Sequence, residues 1–290
     1  MSRATSRASF FTAMSPTSRN SLETQGSSNG AKPHHPLHRR PSPYDLTHPY
    51  LKSHPNLELH PEFAVDGDVI ILCREDENVV GFRVRSSVLR ASSGVFVQEL
   101  NSARFADTRT IVSRDAVTDM HAVLRFLHLG SSDHAGPTIS PTLRDYTAIL
   151  AFVSLYDAPP ALRSLLRWHV EGCAAELVAE VGAEPNDKEV IAIVRLAHRL
   201  RAEALWKEIL DKSAENMSAG WRVLHDPWTL EEDDIEHLEF RLWSLLILLS
   251  RVKGTVGTTL DQLTLHYPNA KQVNVVGKNG QKLDIVHTLV

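Results

Sequence analysis

The run Asp66-Gly67-Asp68-Val69-Ile70-Ile71-Leu72, then Phe82-Arg83-Val84-Arg85-Ser86-Ser87-Val88-Leu89, then Ala91-Ser92-Ser93-Gly94-Val95-Phe96, decides how this chain is read. Asp66-Gly67 is a turn signal. Val69-Ile70-Ile71-Leu72 is a continuous, mostly β-branched run that suits a buried strand. A charged turn at residues 75–78 and an apolar return over residues 79–84 make a hairpin. Ser86 or Ser87 then offers an N-cap for a short helix around Val88, Leu89 and Ala91. Ser92-Ser93-Gly94 breaks the chain and restarts it. Val95, Phe96 and Leu100 fall on one face of the next helix, with Phe96 as a core residue.

Outward from that stretch, residues 108–112 are a third strand candidate. Asp115 is placed to cap a helix whose Val117, Met120, Val123, Leu124 and Leu127 form an apolar stripe, with a stop at Leu129-Gly130. A polar loop covers residues 131–141. Pro141-Thr142 opens a helix through Leu143, Tyr146, Ile149, Leu150, Val153 and Leu155. Pro159-Pro160 opens another, with Leu162, Leu165, Leu166, Trp168 and Val170 on or near one face. Asn186-Asp187 caps a third, which breaks near His198. The acids at residues 231–234 suit the first turn of a last helix ending in the run Leu242-Trp243-Ser244-Leu245-Leu246-Ile247-Leu248-Leu249. Apolar segments on both sides of Gly277-Lys278-Asn279-Gly280 signal a C-terminal β-hairpin. The fold class is therefore α+β.

The chain has 290 residues, 42% hydrophobic and 23% charged, with a net charge of −4. That is an ordinary globular composition and gives nucleic acid no claim as the main partner. Residues 1–60 differ: Ser-, Pro- and His-rich, they carry seven Lys or Arg against three acids, which leaves −8 on the remainder. They read as a disordered basic tail; their Arg- and Ser-rich start weakly resembles a mitochondrial presequence. Residues 242–249 fall far short of the ~20 needed to cross a bilayer and read as a buried helix, so no membrane association is expected. Cys73 and Cys173 form neither a disulfide framework nor a metal pair, which suits a reducing compartment.

No H-E-x-x-H or C-x-x-C occurs. Residues 254–259 resemble a phosphate loop only faintly and lack its Lys. His225-Asp226 reads as a turn, and His198 as a half-buried histidine. His34, His35 and His38 lack a scaffold that would select a metal. No catalytic residue, cofactor or metal is expected. Thr288-Leu289-Val290 has the form taken by peptide-capturing domains, but this ending is common by chance.

The opening stretch resembles a BTB/POZ domain, with its acid before an apolar strand, its Phe-x-Val/Ala-His-Lys-x-x-Leu pattern and its Ala-x-Ser-x-x-Phe helix start. Leu124-Arg125-Phe126-Leu127-His128-Leu129-Gly130 is similar to the family's leucine-rich helix ending in Tyr-Thr-Gly. Leu155-Tyr156-Asp157-Ala158 is similar to its Lys-Tyr-Asp-Met stretch. The match covers roughly residues 62–172, in a layout most like the BTB proteins abundant in fungi. The resemblance implies a BTB/POZ fold, a small mixed sheet with clustered helices, over residues 61–172. A helical extension over 173–252 and a C-terminal segment over 253–290 follow.

It also implies an intracellular, cytoplasmic or nuclear, non-enzymatic protein–protein interaction module. Such modules act as adapters or scaffolds: as homodimers, as adapters for a cullin-type ubiquitin ligase, or in transcriptional regulation. The partner-binding candidates it implies are Asp68 and Arg85 at the family's charged dimer pocket, and Leu100 and Phe105 near its cullin contact. Arg85 stands where the family has His, and Ser86 where it has a base. Residues 100–105 lack the apolar-x-Glu motif of cullin adapters. The alternative is a nuclear regulator whose basic arm contacts nucleic acid; an enzyme without a recognisable motif is the third reading.

Overall fold

A computed structural model describes residues 50, 54, 56–75, 78–128, 141–231, 235, 238–256, 260–269, 272–277 and 282–286. Strands β2 (Val69–Glu75) and β3 (Asn78–Val84) form the expected antiparallel hairpin, with Val69 opposite Val84 and Leu72 opposite Gly81. Strand β4 (Thr110–Val112) runs parallel beside β2, and β1 (Glu58–Leu59) parallel beside β3, giving the order β1-β3-β2-β4. The central position of β2 explains its unbroken apolar sequence. Val69, Ile71 and Cys73 enter the main core, while Ile70 and Leu72 join Leu59 and Ala64 on the other face, covered by Tyr50 and Leu57. The expected tail boundary at residue 60 is thus too late: a strand of only two residues carries no periodicity, yet Leu59 is buried by it.

Helices α1 (Ser86–Ser92), α2 (Gly94–Leu100) and α3 (Ala103–Thr108) link the hairpin to β4, and α4 (Val117–Leu127) follows. Ser93 restarts the chain as foreseen, its hydroxyl accepting the Phe96 amide at 3.1 Å. Two expected caps are corrected. The residue before α1 is Arg85, which makes no side-chain cap, and Ser86 donates its hydroxyl to Asp68 instead. Asp115 does not cap α4; it accepts the hydroxyls of Ser113, at 2.6 Å, and Tyr156. Val117, Met120, Val123 and Leu124 are buried as predicted. The stop at Leu129-Gly130 and the loop over 131–140 lie outside the described residues.

The helices that follow are described as α5 (Leu143–Leu155), α6 (Pro160–Gly172), α7 (Ala174–Val181), α8 (Asp187–Leu200), α9 (Glu203–Glu215), α10 (Ala219–Arg222) and α11 (Phe240–Val256). Capping boxes open α5 (Thr142 with Asp145) and α8 (Asn186 with Glu189). Three expectations shift. In α6 only Leu166 and Val170 are buried, while Leu165 and Trp168 are 39% and 68% exposed. The break after Asn186-Asp187 falls at Arg201, in the left-handed conformation with φ 56°, rather than near His198. Helix α11 starts at Phe240, so the acids at 231–234 do not open it; residues 232–234 lie outside the described set. Its Leu242, Leu245, Leu246 and Leu249 are buried, as the apolar run required.

The C-terminal segment is a three-stranded antiparallel sheet, β5 (Leu263–Asn269), β6 (Gln272–Gly277) and β7 (Lys282–Val286). β6 and β7 are the expected hairpin; its turn lies outside the described residues. β5 adds an unforeseen strand. Residues 254–256 end α11, and 257–259 are undescribed. Glu203, the first residue of α9, holds this sheet by accepting the Tyr267 amide at 3.2 Å and lying 3.3 Å from His266. One buried cluster runs from Phe63 to Val275, so the sheet and helices of the first half share a core with the helical extension. Among the described residues, no helix is long and apolar enough to cross a membrane.

Candidate functional site

The loop into β2 and the turn out of β3 meet at one corner. Gly67 makes this approach; its φ is +142°, and a Cβ there would fall inside the Val84 backbone. The Arg83 Nε donates to the Gly67 carbonyl at 2.8 Å. Arg85 pairs with Asp66, its Nε donating at 2.8 Å, both side chains about half exposed. Asp68 accepts the Ser86 amide on one oxygen and the Ser86 hydroxyl on the other, each at 2.7 Å. Partial burial pushes the Asp68 carboxyl up, but the two Ser86 hydrogen bonds, with Arg109 nearby, outweigh it and hold the pKa below its ordinary value. Asp68 is therefore a satisfied, exposed carboxylate at the start of α1 rather than a buried charge awaiting a base.

The other two candidates sit apart from each other in burial. Leu100 is only 4% exposed and belongs to the core, on the α2 face of Phe96 four residues earlier. As a partner-binding residue it is corrected to a core residue. Phe105 in α3 is half-buried against that core. It connects to the Asp68 corner through Arg109, whose amide donates to the Phe105 carbonyl at 2.7 Å and whose carbonyl accepts the Ile70 amide at 3.1 Å.

The segments that carry the sequence resemblance touch one another. The Ser93 hydroxyl donates to the Tyr156 carbonyl at 2.6 Å, and the Gly94 amide to the Asp157 carbonyl at 3.1 Å. The Phe96 and Tyr156 rings lie 5.3 Å apart. Tyr156 also donates to Asp115, and burial with that carboxylate pushes its phenol up to about 12. These groups lock the turn between α5 and α6 onto the start of α2.

Both cysteines are thiols. Burial, with Asp115 nearby, pushes Cys73 up to about 12, and burial also raises Cys173, so neither is an activated nucleophile at neutral pH. His225 is satisfied by the Ser213 hydroxyl and carbonyl, each at 2.9 Å. His198 is half-buried, 3.4 Å from the Tyr267 hydroxyl. Among the described residues no group of three or more His, Cys, Asp or Glu is placed to hold a metal ion. His34, His35, His38 and the C-terminal Thr288-Leu289-Val290 lie outside the described residues.

The large apolar side chains that stand out to solvent among the described residues include two groups that sequence reasoning missed. Leu165 and Trp168 lie three residues apart on α6. Trp228 and Phe240, 69% and 82% exposed, flank the start of α11, with Trp228 edge-on to Trp243 at 5.2 Å. Compared with protein-family models, with curated proteins and with solved structures, the chain matches none.

Proposed function

We propose that this chain is a protein–protein interaction module of the BTB/POZ type with a helical extension, acting as an adapter or scaffold. The observation that carries the reading is the order of the first half. A β2–β3 hairpin, three short helices, a strand returning parallel to β2 and then α4–α6 occur in the sequence order in which the BTB-like segments fall. The contacts of Ser93 and Gly94 with Tyr156 and Asp157 support it, because segments matched separately along the chain are in register in space. Exposed Trp168, Trp228 and Phe240 supply apolar anchors of the kind partners bury.

The Asp68 corner favours a heterologous partner over the family's usual homodimer. Asp68 already has two donors from Ser86, and Arg85 is engaged by Asp66. The partner proposed is a cullin scaffold. Light scattering and calorimetry of the full chain, alone and with a purified cullin N-terminal domain, test this. A one-to-one complex supports the adapter role, and self-association alone supports a scaffold. A monomer that binds no cullin overturns both.

A further inference from the structure

A cavity of about 340 Å³ opens where the first half, the helical extension and the C-terminal sheet meet. Arg163 reaches it from α6, Arg199 and Arg201 from the end of α8, Arg241 from the start of α11 and Tyr267 from β5. Among the described residues, Glu239 is the only carboxylate in its lining. That carboxylate is already engaged, 2.6 Å from the Arg199 Nε and 3.9 Å from Arg195. Among the described residues, Arg163, Arg201 and Arg241 have no ion-pair partner.

The chain as a whole carries −4, so this cationic cluster is not a by-product of composition. Guanidinium groups gathered round one cavity repel one another, and such a focus of positive potential attracts an anion. Arg201 is itself held in a strained backbone, as Arg109 is at the end of α3. It ends α8 with φ 56° and ψ 41°, a conformation in which helices usually place glycine. Strain of this kind clusters at ligand sites. Burial pushes the Tyr267 phenol up, so its hydroxyl stays protonated and able to donate.

We propose that this cavity binds a phosphate-bearing anion, with Arg163, Arg201 and Arg241 as its ligands and Arg199 held in place by Glu239. Phosphate is favoured over a monocarboxylate because several guanidiniums must be matched by more than one negative charge, in fork-like geometry. The cavity volume is at the small end for ligand sites, which suits a compact anion. The same phosphate group can arrive on a small molecule or on a phosphorylated side chain.

The test is calorimetry on the full chain at low salt with inorganic pyrophosphate, a phosphoserine peptide and acetate, beside thermal melts of each variant. Saturable pyrophosphate or phosphopeptide binding that weakens with salt is expected, with acetate at least tenfold weaker. The tighter phosphate ligand identifies the source. Arg201→Gly is the discriminating variant: it relieves the left-handed backbone, so the ligand-free melt holds or rises, while affinity falls at least tenfold. Arg163→Gln with Arg241→Gln gives a similar loss. No saturable binding, acetate binding as well as phosphate, or unchanged affinity in these variants overturns the proposal.

Discussion

Asp68 and Ser86 form a two-pronged contact in which the Ser86 amide and hydroxyl each donate, at 2.7 Å, to a different oxygen of the Asp68 carboxylate. The acid of β2's leading residues thus serves the first turn of α1, which has no side-chain cap of its own. Asp68→Ala should cost about 1 kcal/mol at pH 7, the usual size of a lost N-terminal cap. The folded-state pKa lies below the unfolded one, so this stabilisation is present above the ordinary carboxyl range and disappears as pH falls through the folded value. Urea melts of both proteins should differ at pH 7, begin to approach each other near roughly pH 4 and converge only below the lowered folded-state value. A pH-independent difference would assign the loss to packing.

Gly67→Ala should be far more costly. The new Cβ would enter the Val84 backbone, which cannot give way as a flexible side chain would, and the φ of +142° is closed to alanine. A loss of roughly 3 kcal/mol or more is expected. An unchanged melting temperature would show that the corner can open without harm.

Removing residues 1–60 should destabilise the chain relative to one starting at residue 50. The cut takes away β1 and Leu59, uncovering Ile70 and Leu72 on the second face of the sheet. Losing one buried leucine is worth about 2–3 kcal/mol. Equal denaturation midpoints for the two forms would mean that β1 contributes nothing.

Phe96→Ala should lower stability by ~3–5 kcal/mol, because the ring is 1% exposed and contacts both Phe152 and Tyr156. Chemical denaturation gives the value directly; a change under 1 kcal/mol, roughly a surface effect, would contradict its core position.

Stability should also fall between about pH 7 and pH 5. Burial, then the neighbouring His121, lower the His60 pKa, with Glu62 opposing; burial lowers His169 too. Each binds its proton more readily unfolded, so acidification favours the unfolded chain. The His60 ring stacks 5.0 Å from Phe82 and lies tilted at 4.3 Å from His121, and Glu62 is shared by His121 and Arg125. His60→Gln should flatten this slope while leaving the alkaline plateau near its height. An equally steep slope in the variant would move the effect to other groups.

Elements whose burial was uniform were the most legible in the sequence. Val69-Ile70-Ile71-Leu72 could only be a strand covered on both sides, and the Leu242–Leu249 run only a buried helix. Where a residue's face depends on distant neighbours, the sequence was silent or misleading. Leu165 and Trp168 sit on an apolar helix yet point outward, and Glu58-Leu59 is too short to show a period. The alternation of Leu263, Leu265 and Tyr267 carries the signal for β5, weaker than that of the Asn-Gly hairpin after it. At the candidate site, Asp68 and Arg85 follow from the family resemblance, whereas Asp66 and Ser86 as their partners required the fold. The arginines of the cavity come from three helices far apart in sequence, so no local pattern joins them.

The hold of Glu203 on the last sheet has a consequence for synthesis. Leu205, Trp206, Ile209 and Leu210 of α9 share the core with Leu260, Leu263, Leu265, Val273 and Val275. On the ribosome the helix emerges well before β5 and the turn leading to it, so the part of its apolar face that they cover stays bare for several seconds at ordinary elongation rates. A nascent chain halted before residue 263 therefore displays that uncovered part of α9 to chaperones and proteases.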